Sequence, residues 1–315
     1  MNMNAPPVIP LESGTVLVQL HFGGYLVVPT WNLDVAVGLI RDRIIEPWTS
    51  SVVASLLSEG EIFANVGANI GYYMALAASR VGRGGTVFAI EPNPVLLPYL
   101  MRTTYWTGYP DVIRLFGCAI TNRDGDDVDL YFDPQYIGGG GLVRSDHISL
   151  MEAGQNLGFW SEKNVSSLMS ETGEWVKGRG LMSQRRCQTR RLDTVLRDVR
   201  SVDVLMIDVE GSEFDVICSA KDVISRSPNL KLVMEWSPYY ANLPSCVSSF
   251  KDAFDFLEGQ AFKLFRISPE SWAEHPGRPT VTRIRGRDEL LQCAHGDLFL
   301  CRDTGVIPKE WRVIG

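Results

Sequence analysis

Two glycines, a glutamate and a later group of acids are the residues in this sequence best suited to chemistry. Gly67 and Gly71 lie in NVGANIGYY (residues 65–73), and Glu91 lies twenty-four residues after Gly67 in FAIEPNP. A glycine-rich turn between a buried strand and a helix lets a ligand come closer than a Cβ would allow, and the helix start offers unpaired N–H groups. A tight turn without ligand satisfies the glycines equally well. Glu91 adds a second constraint. A carboxylate at the end of the next strand can accept hydrogen bonds from both hydroxyls of a ribose, although it could also cap a helix ahead of Pro92. Together the two motifs point to a nucleoside-containing ligand at the carboxyl ends of the strands. The dinucleotide pattern G-x-G-x-x-G is broken twice: Asn69 stands where its middle glycine belongs and Tyr72 where the third belongs. That is a poor pyrophosphate cradle and disfavours a nicotinamide-dependent oxidoreductase. It suits a nucleoside with an amino-acid tail, S-adenosylmethionine.

The elements that must hold these residues alternate. Glu61–Val66, Thr86–Ile90 and Val112–Ile120 read as strands, with helices over Tyr72–Ser79 and Leu96–Trp106 between them. Asp203–Ile207 and Lys231–Trp236 continue the series across a helix at Glu213–Ser225, and Phe262–Ile267 and Leu298–Arg302 close it after a helix at Phe250–Gly259. Such alternation implies parallel pairing through crossover helices. The expectation is a Rossmann-like α/β sheet of about seven strands, one of them antiparallel. Residues 1–60 form an N-terminal cap, a hairpin around Gly23-Gly24 followed by helices broken at Pro47, and residues 61–315 form the main domain. A weakly periodic stretch at 133–185, with four glycines at 138–141 and with Trp160 and Trp175, is expected to be a lid or loop.

Composition narrows the class. The 315 residues are 45% hydrophobic and 21% charged, ordinary values for a globular chain. A formal charge of −7 and a pI near 5.2 argue against a nucleic-acid partner. The basic run Gln184–Arg191 reads as a solvated strand edge or loop, with contact to an anionic ligand as the alternative. The six cysteines show no metal-binding spacing, which suits a reducing compartment. The first ten residues hold neither a basic leader nor an apolar core, and no apolar run is long enough to span a membrane. The expected location is cytoplasmic.

NVGANIGYY, AIEPNP and MIDVEGSE, in this order and with RRLDTVL (190–196) between the last two, resemble the FkbM family of S-adenosylmethionine-dependent methyltransferases over roughly residues 60–240. The resemblance implies a class I methyltransferase fold and transfer to oxygen, usually on a sugar or natural-product scaffold. It implies that Asn65, Gly67, Ala68, Asn69 and Gly71 face the methionine and sugar portions of the cofactor and that Glu91 meets the ribose. Pro92 and Asn93 would flank the adenine, with Cys118 and Ala119 near the base. The chain departs from the family pattern at Asn65, commonly aspartate, and at Met206, often lysine.

Transfer of a methyl group to an alcohol needs the acceptor aligned, water excluded and a proton removed. Asp208 is the first candidate for the group that orients the acceptor or takes its proton, with Glu210 and Glu235 beside it. Period-two alternation puts Asp208 and Glu210 on one side of an extended segment, whereas Glu213 should begin a helix. Each acid could instead be a helix cap or dipole partner. Three carboxylates would suit magnesium or calcium, but nothing else supplies an oxygen cage, and no metal is expected. Among the histidines, His21 and His147 lie in segments able to fold over the site, while His275 and His295 look peripheral. The favoured acceptor is a small molecule or glycan bearing a sugar hydroxyl, the alternative a polyketide or other small natural product.

Overall fold

The structure is a computed structural model and describes residues 8–12, 14–133, 136–142, 183–269 and 277–315. The chain begins with a small antiparallel sheet, β1 (Val8–Pro10), β2 (Thr15–Gln19) and β3 (Tyr25–Pro29). Two helices follow, α1 (Leu33–Asp42) and α2 (Pro47–Leu56). Pro47 stands at the start of α2, where its missing N–H costs nothing. The break expected at Pro47 is therefore the start of a second helix.

The main sheet starts with β4 (Ile62–Val66), α3 (Tyr72–Val81), β5 (Thr86–Ile90), α4 (Leu97–Trp106) and β6 (Ile113–Phe116). These strands are near-continuous apolar runs because both faces of the sheet are covered. The strand expected over 112–120 is in fact two. After β6 the chain leaves the main sheet at Gly117, where a Cβ would sit 2.9 Å from Leu97 Cδ1. It re-forms as β7 (Ala119–Ile120) in a separate sheet with β8 (Asp127–Asp133), β9 (Tyr136–Leu142) and β10 (Ser183–Arg190), in the order β7-β10-β8-β9. The four glycines at 138–141 thus belong to a strand. The basic run forms β10, inside this sheet, with Arg185 and Arg186 exposed. Residues 143–182, with His147, Trp160 and Trp175, lie outside the described residues, as does His275.

β11 (Val204–Ile207) and β12 (Lys231–Trp236) return to the main sheet, followed by β13 (Lys263–Ile267), β14 (Thr280–Ile284), β15 (Gly296–Cys301) and β16 (Arg312–Ile314). The order is β6-β5-β4-β11-β12-β15-β13-β14-β16. The first seven of these make the Rossmann-like class I methyltransferase sheet, with β15 inserted antiparallel between β12 and β13. β14 and β16 extend it and also run against the parallel strands. They were illegible as strands because β14 follows a stretch of sequence rich in proline and charge and β16 is an exposed three-residue edge.

Two cores flank the sheet. On one face Phe63, Met206, Val233 and Phe299 pack beneath α2, α3 and the N-terminal sheet. On the other, Leu205, Ile207, Leu232 and Leu298 pack against the helices Glu213–Ser219 and Val247–Gly259. Full burial of each such side chain contributes about 1.5–3 kcal/mol. Strand order reverses between β4 and β11, the switch point at which open α/β sheets leave a crevice for ligands.

Candidate active site

Both flanks of that crevice are built by backbone. Gly67, just past β4, has φ +86°, and Gly71 caps α3 at φ +93°. Between them Asn69 adopts φ +49°, a left-handed conformation rare for a side-chain-bearing residue. Gly67 N and Ala68 N both donate to the carbonyl of Ile90, tying the loop to the end of β5.

Glu91 locks the loop from the other side. It is only 6% exposed, and its carboxylate accepts from Asn69 N and Asn93 N, each at 2.8 Å. Burial pushes this carboxyl up to about 7, against the two backbone donors that lower it. Each oxygen keeps a lone pair for a further donor. Pro92 follows at the mouth, and Asn93 turns its side chain back onto Val95 N (3.0 Å). Cys118 and Ala119 are buried beside the end of β6, with the Cys118 thiol pushed up to about 11 by burial.

Asn65 supplies a test of whether this cradle fits a ligand. It is 1% exposed, and among the described residues neither its amide nitrogen nor its oxygen has a hydrogen-bond partner. A buried amide left unpaired costs about 1–3 kcal/mol, so a polar group arriving at the end of β4 has a waiting partner. Asn69 Oδ1 is unpaired in the same way. These residues fit a cofactor with an amino-acid tail.

The acids stand across the crevice. Asp208 N donates to Val66 O (3.0 Å), which fixes the end of β11 beside Gly67. Ile207 pairs with Met234, so Asp208 emerges level with Glu235, and Glu235 pairs in turn with Asp297 on β15. Strand alternation turns all three toward the face of Met206, Val233 and Phe299, beneath α2 and α3. Asp208, Glu210 and Glu235 each bring a carboxylate oxygen within 4.8 Å of the others, a spacing that could also hold a metal ion. Glu210 reaches this cluster by a different route from the one its sequence spacing suggested. It has φ +53°, so the segment turns there instead of alternating, and the turn swings the side chain back. Glu213 opens its helix as expected and accepts from Val209 N (3.2 Å) and Gly211 N (3.1 Å), which holds that turn.

Sequence reasoning missed Glu46, Thr49, Asp297 and His295. The N-terminal segment, read as a mere cap, puts Glu46 at the start of α2 facing these acids, in a left-handed conformation of φ +40°. Tyr73 on α3 donates its hydroxyl to Glu46 Oε2 at 2.8 Å, and Thr49 donates to Asp297 Oδ2. His295, expected to be peripheral, lies 3.5 Å from Glu235 Oε1. His21 instead sits exposed in the turn after β2. Burial first, then mutual repulsion, raises Asp208 and Glu235 well above the usual carboxylate range. Burial likewise raises Asp297 and lifts Glu46 to about 7. Among the described residues no lysine or arginine pairs with these four. The only legible signals were the acid in GDLFLC and the acid before Pro47, neither distinguishable from surface charge without the pairing of β15 with β12.

The model of the Methyltransferase FkbM domain matches residues 65–264. The chain belongs to the FkbM methyltransferase family. It is therefore an S-adenosylmethionine-dependent methyltransferase. The matched span holds the glycine loop, Glu91, Asp208, Glu210 and Glu235, but not Glu46, His295 or Asp297. A search of curated proteins returns no match. Similar solved structures include an S-adenosylmethionine-dependent O-methyltransferase from Thermotoga maritima, at 14% identity and TM-score 0.40 over 91% of this chain and 77% of that one. Fibrillarin from Aeropyrum pernix with bound S-adenosylmethionine matches at 11% identity and TM-score 0.37, over 93% and 97%. The O-methyltransferase TomG from Streptomyces achromogenes, involved in tomaymycin synthesis, matches at 9% and 0.39, over 81% and 78%. At such scores these likenesses carry no weight, and the fold rests on the family and the strand order. No helix among the described residues is long and apolar enough to cross a membrane.

Proposed function

We propose that this FkbM-family enzyme methylates a hydroxyl of a sugar or glycan-type acceptor. The supporting observation is the row of Asp208, Glu235 and Asp297 at adjoining strand ends, beside the glycine loop. Carboxyl groups held close together and partly protonated both accept and donate hydrogen bonds, which is what a polyhydroxylated acceptor requires.

In this reading Asn65, Gly67, Ala68, Asn69 and Gly71 hold the methionine portion of the cofactor and Glu91 its ribose. Pro92, Asn93, Cys118 and Ala119 surround the base. The cofactor, when bound, supplies an electrophilic methyl group on a sulfonium. Asp208, Glu210 and Glu235 orient the acceptor hydroxyl in line with it. The negative net charge speaks for a small-molecule or glycan partner over nucleic acid, and six free cysteines speak for a cytoplasmic location.

The test is turnover against a panel of sugars, glycosides, polyketide alcohols, amines and carbon nucleophiles, with the methylated atom located by mass spectrometry. Methylation confined to nitrogen or carbon acceptors would refute the hydroxyl assignment.

A further inference from the structure

We propose that Glu46 accepts the proton of the acceptor hydroxyl, held for this role by Tyr73 and relayed to solvent past His295. The inference rests on the hydroxyl-acceptor reading above and adds to it a residue from outside the family-matched span.

Four features of the fold carry it. Glu46 is delivered by the N-terminal segment onto the face where Asp208, Glu235 and Asp297 emerge. Its backbone is held at φ +40° and ψ +69°, a left-handed conformation that a side-chain-bearing residue keeps only where the surroundings impose it. Its Oε2 takes the hydroxyl of Tyr73, and Oε1 accepts no hydrogen bond among the described residues. Finally, a route out exists. His295 has a side chain 48% exposed and interacts electrostatically with Glu46. His295 also stands 3.5 Å from Glu235 Oε1, and among the described residues no hydrogen bond or ion pair joins it to Asp208 or Asp297.

The groups facing Glu46 come from every element around it: Tyr72 and Tyr73 on α3, His295 and Asp297 at the start of β15, and Asp208 at the end of β11. The net effect leaves its carboxyl near 7, where a base is both ionised and proton-seeking at neutral pH. Burial and mutual repulsion raise Asp208 and Glu235 well above the usual carboxylate range, and a carboxyl that holds its proton is suited to orienting a hydroxyl.

The step balances. The O–H bond of the acceptor breaks and its proton goes to Glu46, an O–C bond forms to the methyl carbon, and the C–S bond breaks with its electron pair left on sulfur. Glu46 then returns the proton to water through His295.

Glu46→Gln, Tyr73→Phe and the wild type would be compared by calorimetric cofactor binding, the pH profile of kcat, and a difference-infrared titration of carboxyl groups in the cofactor-free protein. Expected for Glu46→Gln is unchanged cofactor affinity, turnover down by about 10²–10⁴, loss of the acidic limb near pH 7, and loss of one carboxyl titrating there. Tyr73→Phe, which removes a donor that favours the ionised carboxylate, should move that limb and that titration upward together and lower kcat less than Glu46→Gln does. A folded Glu46→Gln enzyme with near-normal turnover and the same limb overturns the proposal. So does an infrared titration that Glu46→Gln and Tyr73→Phe leave unchanged. A wild type that methylates only amines overturns the hydroxyl reading itself, visible in the product before any variant is made, and takes this inference with it.

Discussion

The α-carbon of Gly67 rests against the carbonyl of Asp208, so closely that a Cβ on Gly67 would lie 1.7 Å from that oxygen. The glycine that opens the cofactor loop is therefore required by the end of β11 before any ligand arrives. Gly67→Ala should cost at least about 3 kcal/mol, since a backbone clash adds to the strain of φ +86°. Gly71→Ala meets only the flexible end of Met74, at 2.8 Å, and should cost about 1–2 kcal/mol. Urea unfolding of the two variants checks the order, and equal losses would contradict it.

Glu91 ties Asn69 to Asn93, so its removal should be felt in both stability and binding. Glu91→Ala leaves two backbone donors unsatisfied and should cost about 2–4 kcal/mol of stability. It should also weaken cofactor binding by about 1.5–3 kcal/mol. Glu91→Gln keeps an acceptor for one donor and should lose less of each. Denaturation and calorimetry on the same samples separate the two effects; a stability loss with unchanged affinity would leave Glu91 a structural tie alone.

The acid cluster fixes a sign for the pH dependence of stability. Folded-state values of Glu46, Asp208, Glu235 and Asp297 lie above those of the free side chains. The native state thus binds more protons than the unfolded chain, and stability falls as pH rises from about 4.5 through 7. Each unit of elevation corresponds to about 1.4 kcal/mol. Glu235→Gln should accordingly be more stable than wild type at pH 8, by about 1 kcal/mol or more, and the gain should shrink toward pH 5. Melting curves at the two pH values decide it. A variant less stable at pH 8 than at pH 5, relative to wild type, would reverse the sign.

The second sheet also touches the turn at Glu210. A Cβ on Gly141 would lie 3.0 Å from the carbonyl of Glu210, so β9 packs on the turn that swings Glu210 toward Asp208. Gly141→Val should displace that turn and lower turnover about tenfold, the scale of a small misalignment, with cofactor affinity unchanged. Full activity would make the contact incidental.

What the sequence revealed and what it concealed have physical reasons. The glycine loop, Glu91 and Asp208 were legible because a crossover between parallel strands fixes their spacing, and that spacing survives without knowledge of tertiary packing. Asp297 was hidden because its place depends on β15 inserting between β12 and β13, a pairing between segments distant in sequence. Glu46 was hidden because nothing local distinguishes an acid before a helix-starting proline from an ordinary surface charge. Glu210 was found for the wrong reason: alternation suggested it, but a left-handed turn delivers it.

Asp208 provides the last prediction, because its surroundings separate orienting an acceptor from taking its proton. It lies at the end of β11 with Gly67 against its backbone, and Asp208 N is bound to Val66 O, so its main chain has no freedom to move. Burial and then Glu210, Glu46, Asp297 and Glu213 hold its carboxyl well above the usual range. A protonated carboxyl donates one hydrogen bond and accepts others, and Asn at this position reproduces much of that pattern at nearly the same size. Asp208→Asn should therefore keep cofactor affinity and lower turnover about tenfold. It should also leave the acidic limb of the pH–rate profile in place. A loss of 10²–10⁴ together with the disappearance of that limb would instead make Asp208 the proton acceptor, and would leave Glu46 to position it.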